Sequence, residues 1–204
     1  GAKAWALLAY LAGSDRPHPR AELAELLFCE AGDPLGALRW NLAALRRLLG
    51  RPDELKGDPV TLGVPDAMID VRRLEASDAD PLELLGLGQE LLSGLGFVGC
   101  PVFELWLAGE RHRLRRRAAS LLREAALRCQ ARGDHALAIR LASELTLTEP
   151  LDEGHHALLI RAHTLNGDAA GARLHFEQCR ALLRSELGVE PGSAVLAAIH
   201  LAAP

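Results

Sequence analysis

The feature that most constrains this chain is an internal repeat: Gly133-Asp134-His135-Ala136 returns as Gly167-Asp168-Ala169-Ala170, at an offset of 34 residues (133 to 167). Each Gly-Asp pair has a mechanical job. Glycine takes the left-handed conformation that ends one helix, and the aspartate carboxylate accepts from the unpaired amides that start the next. Two such joints, one period apart, imply two helix hairpins. Under the same offset Ala138 falls on Ala172, keeping a small residue where paired helices approach, while Leu127 falls on Arg161 and Leu141 on His175.

Apolar stripes at helical spacing flank both joints. Leu121, Leu122, Ala125 and Ala126 mark a first helix, Ala138, Leu141, Ala142 and Leu145 a second, and Leu158, Leu159 and Ala162 a third. Pro150 and Pro191 mark where the second and fourth helices stop. A 34-residue period is that of tetratricopeptide repeats, which stack hairpins into a solenoid with an extended binding surface. An anonymous αα bundle is the alternative.

Aromatic residues make up 4% of the 204 residues, and the β-branched alternation of a large sheet is missing, so the fold class is mainly α. No stretch approaches the roughly 18 apolar residues of a membrane span, and no membrane partner is expected. The N-terminus lacks the order of a signal peptide, which places the chain in the cytoplasm. Cys29, Cys100, Cys129 and Cys179 stand far apart with no C-x-x-C pair, which implies reduced and mostly buried thiols. The chain opens on Gly1-Ala2 and its one methionine is Met68, as expected of a fragment.

Three helical segments precede residue 50: Lys3 to Ala12, Arg20 to Leu27 and Pro34 to Leu49, the last with Asp33 as N-cap and Pro34 in its first turn. Leu38, Leu42, Leu45 and Leu49 form its core side. Its outward side carries Arg39, Trp40, Asn41, Arg46 and Arg47, and with Arg20 at the start of the second helix these are the candidate DNA-binding residues. An α-helix fits the major groove and arginine grips guanine edges or phosphates. Val60-Thr61-Leu62 and Met68-Ile69-Asp70-Val71 are two β-capable pieces around a turn, which would make a wing. Against this, residues 1–75 hold ten Lys or Arg and eleven Asp or Glu, a net charge of −1, so phosphate attraction is local at best.

Two strings then carry a family resemblance. Leu38-Arg39-Trp40-Asn41-Leu42-Ala43-Ala44-Leu45-Arg46-Arg47-Leu48-Leu49-Gly50 resembles the recognition-helix region of the antibiotic regulatory proteins of the SARP class. Phe103-Glu104-Leu105-Trp106-Leu107, then Glu110-Arg111 and Leu114, with Ser185-Glu186-Leu187-Gly188-Val189-Glu190-Pro191 after the repeats, resembles the opening and closing signatures of the bacterial transcriptional activator domain. Asp70-Val71 with Leu74, and Leu91-Leu92-Ser93-Gly94, agree with it. The resemblance implies an OmpR-type winged helix-turn-helix over residues 1–69, shortened at its N-terminus, followed by an all-α tetratricopeptide-like domain over residues 70–204. It implies a transcription regulator that binds promoter DNA and contacts RNA polymerase, another protein or further domains of its own chain, with homodimerisation open. Ala43-Ala44 and the apolar Trp40 on the outward side keep a second reading open, an interaction adaptor whose winged helix does not bind DNA.

No enzyme is expected, since no nucleophile, base and orienting group share a recognised spacing. The glycines at 86, 88, 94, 96 and 99 form no phosphate loop, and no cofactor is implied. His155, His156 and His163 invite a metal reading, but no carboxylate or cysteine at zinc-ligand spacing completes it, and no metal is expected. Arg111, Arg113, Arg115, Arg116 and Arg117 wrap around one helix as a largely solvated run, and Trp106 is expected to pack on the N-terminal helices.

Overall fold

The computed structural model describes residues 1–65, Leu85 and 90–201. Among them are eight helices: α1 (Ala2–Ala12), α2 (Arg20–Phe28), α3 (Pro34–Leu49), α4 (Pro101–Arg132), α5 (His135–Thr148), α6 (Glu153–Leu165), α7 (Ala169–Leu187) and α8 (Ser193–His200). The chain divides into two compact units, one within Gly1–Asp78 and Gln89–Leu114, the other within Ala79–Gly88 and Arg115–Pro204. The mainly α expectation holds, and the three N-terminal helices lie where the apolar spacing put them.

In the first unit α1, α2 and α3 pack on one another. Asp33 caps α3, its Oδ1 accepting from Gly36 N–H at 2.8 Å, and Gly50 closes it in the left-handed region at φ 64°. Leu7, Leu23, Leu27, Leu38, Leu42 and Leu45 are fully buried. Phe97, Cys100, Phe103 and Leu107 join this core, with Phe97 edge-on to Phe103 and Trp106 edge-on to Tyr10, each pair 4.9 Å between ring centroids. The opening turns of α4 therefore belong to the first unit. Trp106 packs on the N-terminal helices, as expected of it. The 69/70 boundary lies outside the described residues, as do Met68 to Val71, Asp70-Val71 with Leu74, and Gly86 and Gly88.

Extended pairing among the described residues is one antiparallel bridge between His18 and Val60, with N–H to O distances of 2.7 and 2.9 Å. The ring of His18 is buried, its Nε2 2.7 Å from Ser14 Oγ and its Nδ1 3.2 Å from Glu22 Oε1. Arg16 holds the same carboxylate at 2.6 Å and keeps Glu22 below the usual carboxylate range.

In the second unit the repeat is a repeat of geometry. Gly133 (φ 80°) and Gly167 (φ 74°) end α4 and α6. Asp134 N–H donates to Cys129 O and Asp168 N–H to His163 O, both at 2.9 Å. The carboxylate of Asp134 accepts from Leu137 N–H at 3.1 Å and that of Asp168 from Gly171 N–H at 2.8 Å. Every one of these positions is offset by 34. The three apolar stripes are buried, most of them completely. α6 lies at the centre, packed by α5, α7 and α8, and Gln130 of α4 donates to Leu158 O at 3.2 Å. Helix α7 ends at Gly188 (φ 69°), three residues before Pro191, so glycine and not proline stops it. Cys100, Cys129 and Cys179 are buried and Cys29 exposed, all as free thiols; burial pushes the Cys179 thiol up to about 11.

Candidate nucleic-acid interface

Helix α3 carries most of the candidate residues, and its cap organises the first of them. While Asp33 Oδ1 caps the helix, its Oδ2 lies 3.5 Å from Arg39 Nη2. The cap thereby steers an exposed guanidinium without neutralising it fully, since a solvated pair this long is weak. Trp40 is 64% exposed, a large apolar surface for solvent to meet. Arg47 is exposed on the last turns, its Nε 3.4 Å from Ala43 O. At about 100° per residue, Trp40 and Arg47 fall within about 20° of one line along the helix, and Arg39 with Arg46 on a neighbouring line. Ala43, between them, keeps that surface low.

The other three residues are placed differently. Asn41 is buried, with its Nδ2 donating to Ala37 O at 2.9 Å. The outward placement of Asn41 is thus corrected: three residues after Leu38 and four before Leu45, it sits on the core stripe, and its amide finds the backbone as a buried polar group must. Arg46 is only partly exposed, its Nη1 donating to Leu55 O at 3.3 Å. Arg20 donates from Nε to Gly57 O at 2.7 Å and from its backbone N–H to Asp58 Oδ1 at 2.9 Å. Asp58, 38 residues away in sequence, thus caps the first amide of α2. No short-range signal reports that pairing. A shallow depression of about 460 Å³ lies over Ala43, Arg46, Arg47, Gly50 and Pro52 at the end of α3.

The arginine run on α4 is divided in the same way. Arg111 donates to Leu91 O at 2.8 Å and to Leu92 O at 3.0 Å, holding the segment before the helix, and Arg113 pairs with Glu110 at 2.6 Å. Arg115 and Arg116 are exposed. In the closing signature, Glu190 is gripped by Arg180 and Arg184, which hold its carboxyl below the usual range. No helix among the described residues is long and apolar enough to cross a membrane.

A hairpin-repeat arm is thus joined in sequence to a three-helix unit that exposes Arg39 and Arg47 on its last helix. Residues 72–201 match the bacterial transcriptional activator domain, and the chain belongs to that family of transcriptional regulators. The resemblance carried by Phe103 to Leu107 and Ser185 to Pro191 is borne out. Over 99% of its length the chain resembles in fold the Mycobacterium tuberculosis protein EmbR, solved in complex with a low-affinity phosphopeptide, with a TM-score of 0.64 and 19% identity. It spans 59% of that protein chain. The comparison with curated proteins returned no match.

Proposed function

We propose that the protein is a DNA-binding transcription regulator in which α3 enters the major groove of promoter DNA and the helical repeats contact RNA polymerase or another protein. The exposed surface of α3, with Arg39, Trp40, Ala43 and Arg47, carries this reading. In it Arg39 and Arg47 meet phosphates or guanine edges, and the low Ala43 lets the helix approach. Arg46 and Arg20 act indirectly, by holding Leu55 and the Gly57-Asp58 loop against the helices. The organisation we propose is a winged helix over residues 1–69, the His18–Val60 bridge being the inner edge of its wing, and the helical-repeat domain over 70–204.

The test is a fluorescence-anisotropy titration of the full chain with a promoter duplex across salt concentrations. Arg39→Ala and Arg47→Ala are each expected to reduce the slope of log affinity against log salt by about 1. Duplex binding that is absent at low salt, or equal slopes in all three proteins, would refute the placement. A net charge of −1 over residues 1–75 and the bare Trp40 favour a second reading, a protein adaptor. Under it Trp40→Ala abolishes capture of a polymerase subunit while no duplex is bound by any variant.

A further inference from the structure

Helix α6 bears three histidines, and two of them have hydrogen-bond partners on their rings. His156 places Nδ1 2.9 Å from His175 Nε2 and Nε2 2.7 Å from Pro150 O, and His163 places Nδ1 2.8 Å from Asp168 Oδ2. His155 is different. Its residue is 4% exposed, and its Nδ1 is buried with no hydrogen-bond partner. His135 Nδ1 shares that condition, but only His155 belongs to a group of potential ligands among the described residues.

The group consists of Glu149, Asp152 and His155, with one oxygen of each carboxylate and one ring nitrogen all within 4.8 Å of one another. Glu149 Oε2 lies 3.9 Å from His155 Nδ1 and Asp152 Oδ2 lies 4.0 Å from Nε2. These gaps are too long for hydrogen bonds. Each is wider by roughly 0.6 Å than the about 3.3 Å between two ligands that share a tetrahedral zinc ion through bonds of about 2 Å, and since they run to different ring nitrogens only one of them is a spacing about a single ion. Asp152 divides its labour: Oδ1 caps α6 at Gly154 N–H, 2.7 Å away, and Oδ2 is left for a ligand. Glu153, next in sequence, is committed to Gly192 N–H and stays out of the group. The side chains of Glu149 and Asp152 are 34% and 46% exposed, which gives an ion a way in from solvent.

We infer that Glu149, Asp152 and His155 form a binding site for a divalent transition-metal ion, zinc foremost, at the joint between α5 and α6. An imidazole among the donors selects zinc over magnesium or calcium, which prefer all-oxygen shells. A single ring nitrogen serves as ligand, and water completes the coordination. The site joins the C-cap residue of α5 to the N-cap residue of α6, so the bound ion fastens one hairpin to the next.

The test uses the full chain freed of metal by a chelator and titrated calorimetrically with zinc chloride, beside Glu149→Gln and Asp152→Asn. Both substitutions keep the side-chain shape, and asparagine keeps the capping oxygen, so circular dichroism should match the parent. One equivalent of zinc per chain is expected, with at least tenfold weaker binding in each variant. Cobalt in place of zinc is expected to show ligand-field bands without a thiolate charge-transfer band, which separates this site from Cys29. Absence of one bound equivalent, a loss of less than tenfold in either variant, or a thiolate band would overturn the proposal.

Discussion

Individual residues earn their roles here by where their second hydrogen-bonding group goes. Asp33 caps with one oxygen and steers Arg39 with the other, while Asn41 reads as polar and outward in sequence yet turns inward to Ala37 O. His175 shows the thermodynamic side of such placement. Burial, and then its neighbour His156, hold it neutral down to about pH 4 from an ordinary value of 6.5, with the two rings stacked 5.0 Å apart. The unfolded chain takes up that proton first as pH falls, so stability is complete above about 6.5 and declines from there to about 4, by at most about 1.4 kcal/mol per pH unit for one group. Denaturant midpoints measured from pH 7 to 4 should fall accordingly. In His175→Gln this part of the slope should vanish; an unchanged slope would place the titration elsewhere.

At the scale of elements, the two Gly-Asp joints are alike in backbone and unlike in one detail. Asp134 has a capping task alone, whereas the second oxygen of Asp168 holds His163 Nδ1 at 2.8 Å. Asp134→Ala should cost about 1 kcal/mol, the usual loss of an N-cap. Asp168→Ala should cost more, because it also strands the His163 ring; equal midpoints for the two variants in urea would show that the His163 contact contributes nothing. The joints were legible in sequence because capping is local, decided within four residues. The stripes of α3, α4, α5 and α6 were legible for a similar reason, since helical period sorts inward from outward. Asn41 is not legible from residue type, because its polar amide is satisfied by Ala37 O within the stripe between Leu38 and Leu45. The α2 cap by Asp58 escaped because its partner is 38 residues away.

For the whole molecule, the division into units cuts through α4, whose opening turns supply Phe97's partner Phe103 and the ring of Trp106 to the first core while its later turns bear the stripe of the second. Phe103→Ala is therefore expected to destabilise the N-terminal helices by about 3–5 kcal/mol, although Phe103 is 54 residues beyond the end of α3 (49 to 103). Near-ultraviolet circular dichroism across a denaturant series would report it, and a loss below about 1 kcal/mol would mean that the three helices are stable without α4. The amino-acid sequence by itself determined the three N-terminal helices and those of the repeats, the caps at Asp33, Asp134 and Asp168, the 34-residue period and the family, because each rests on neighbours within a few turns or on a pattern that recurs along the chain. Only the tertiary structure decided which core claims the start of α4, which arginines of α3 stay exposed, and that Glu149 and Asp152 meet the buried ring of His155. Those outcomes depend on burial and on contacts across loops, where residue type says what a group needs but not who will be near enough to supply it.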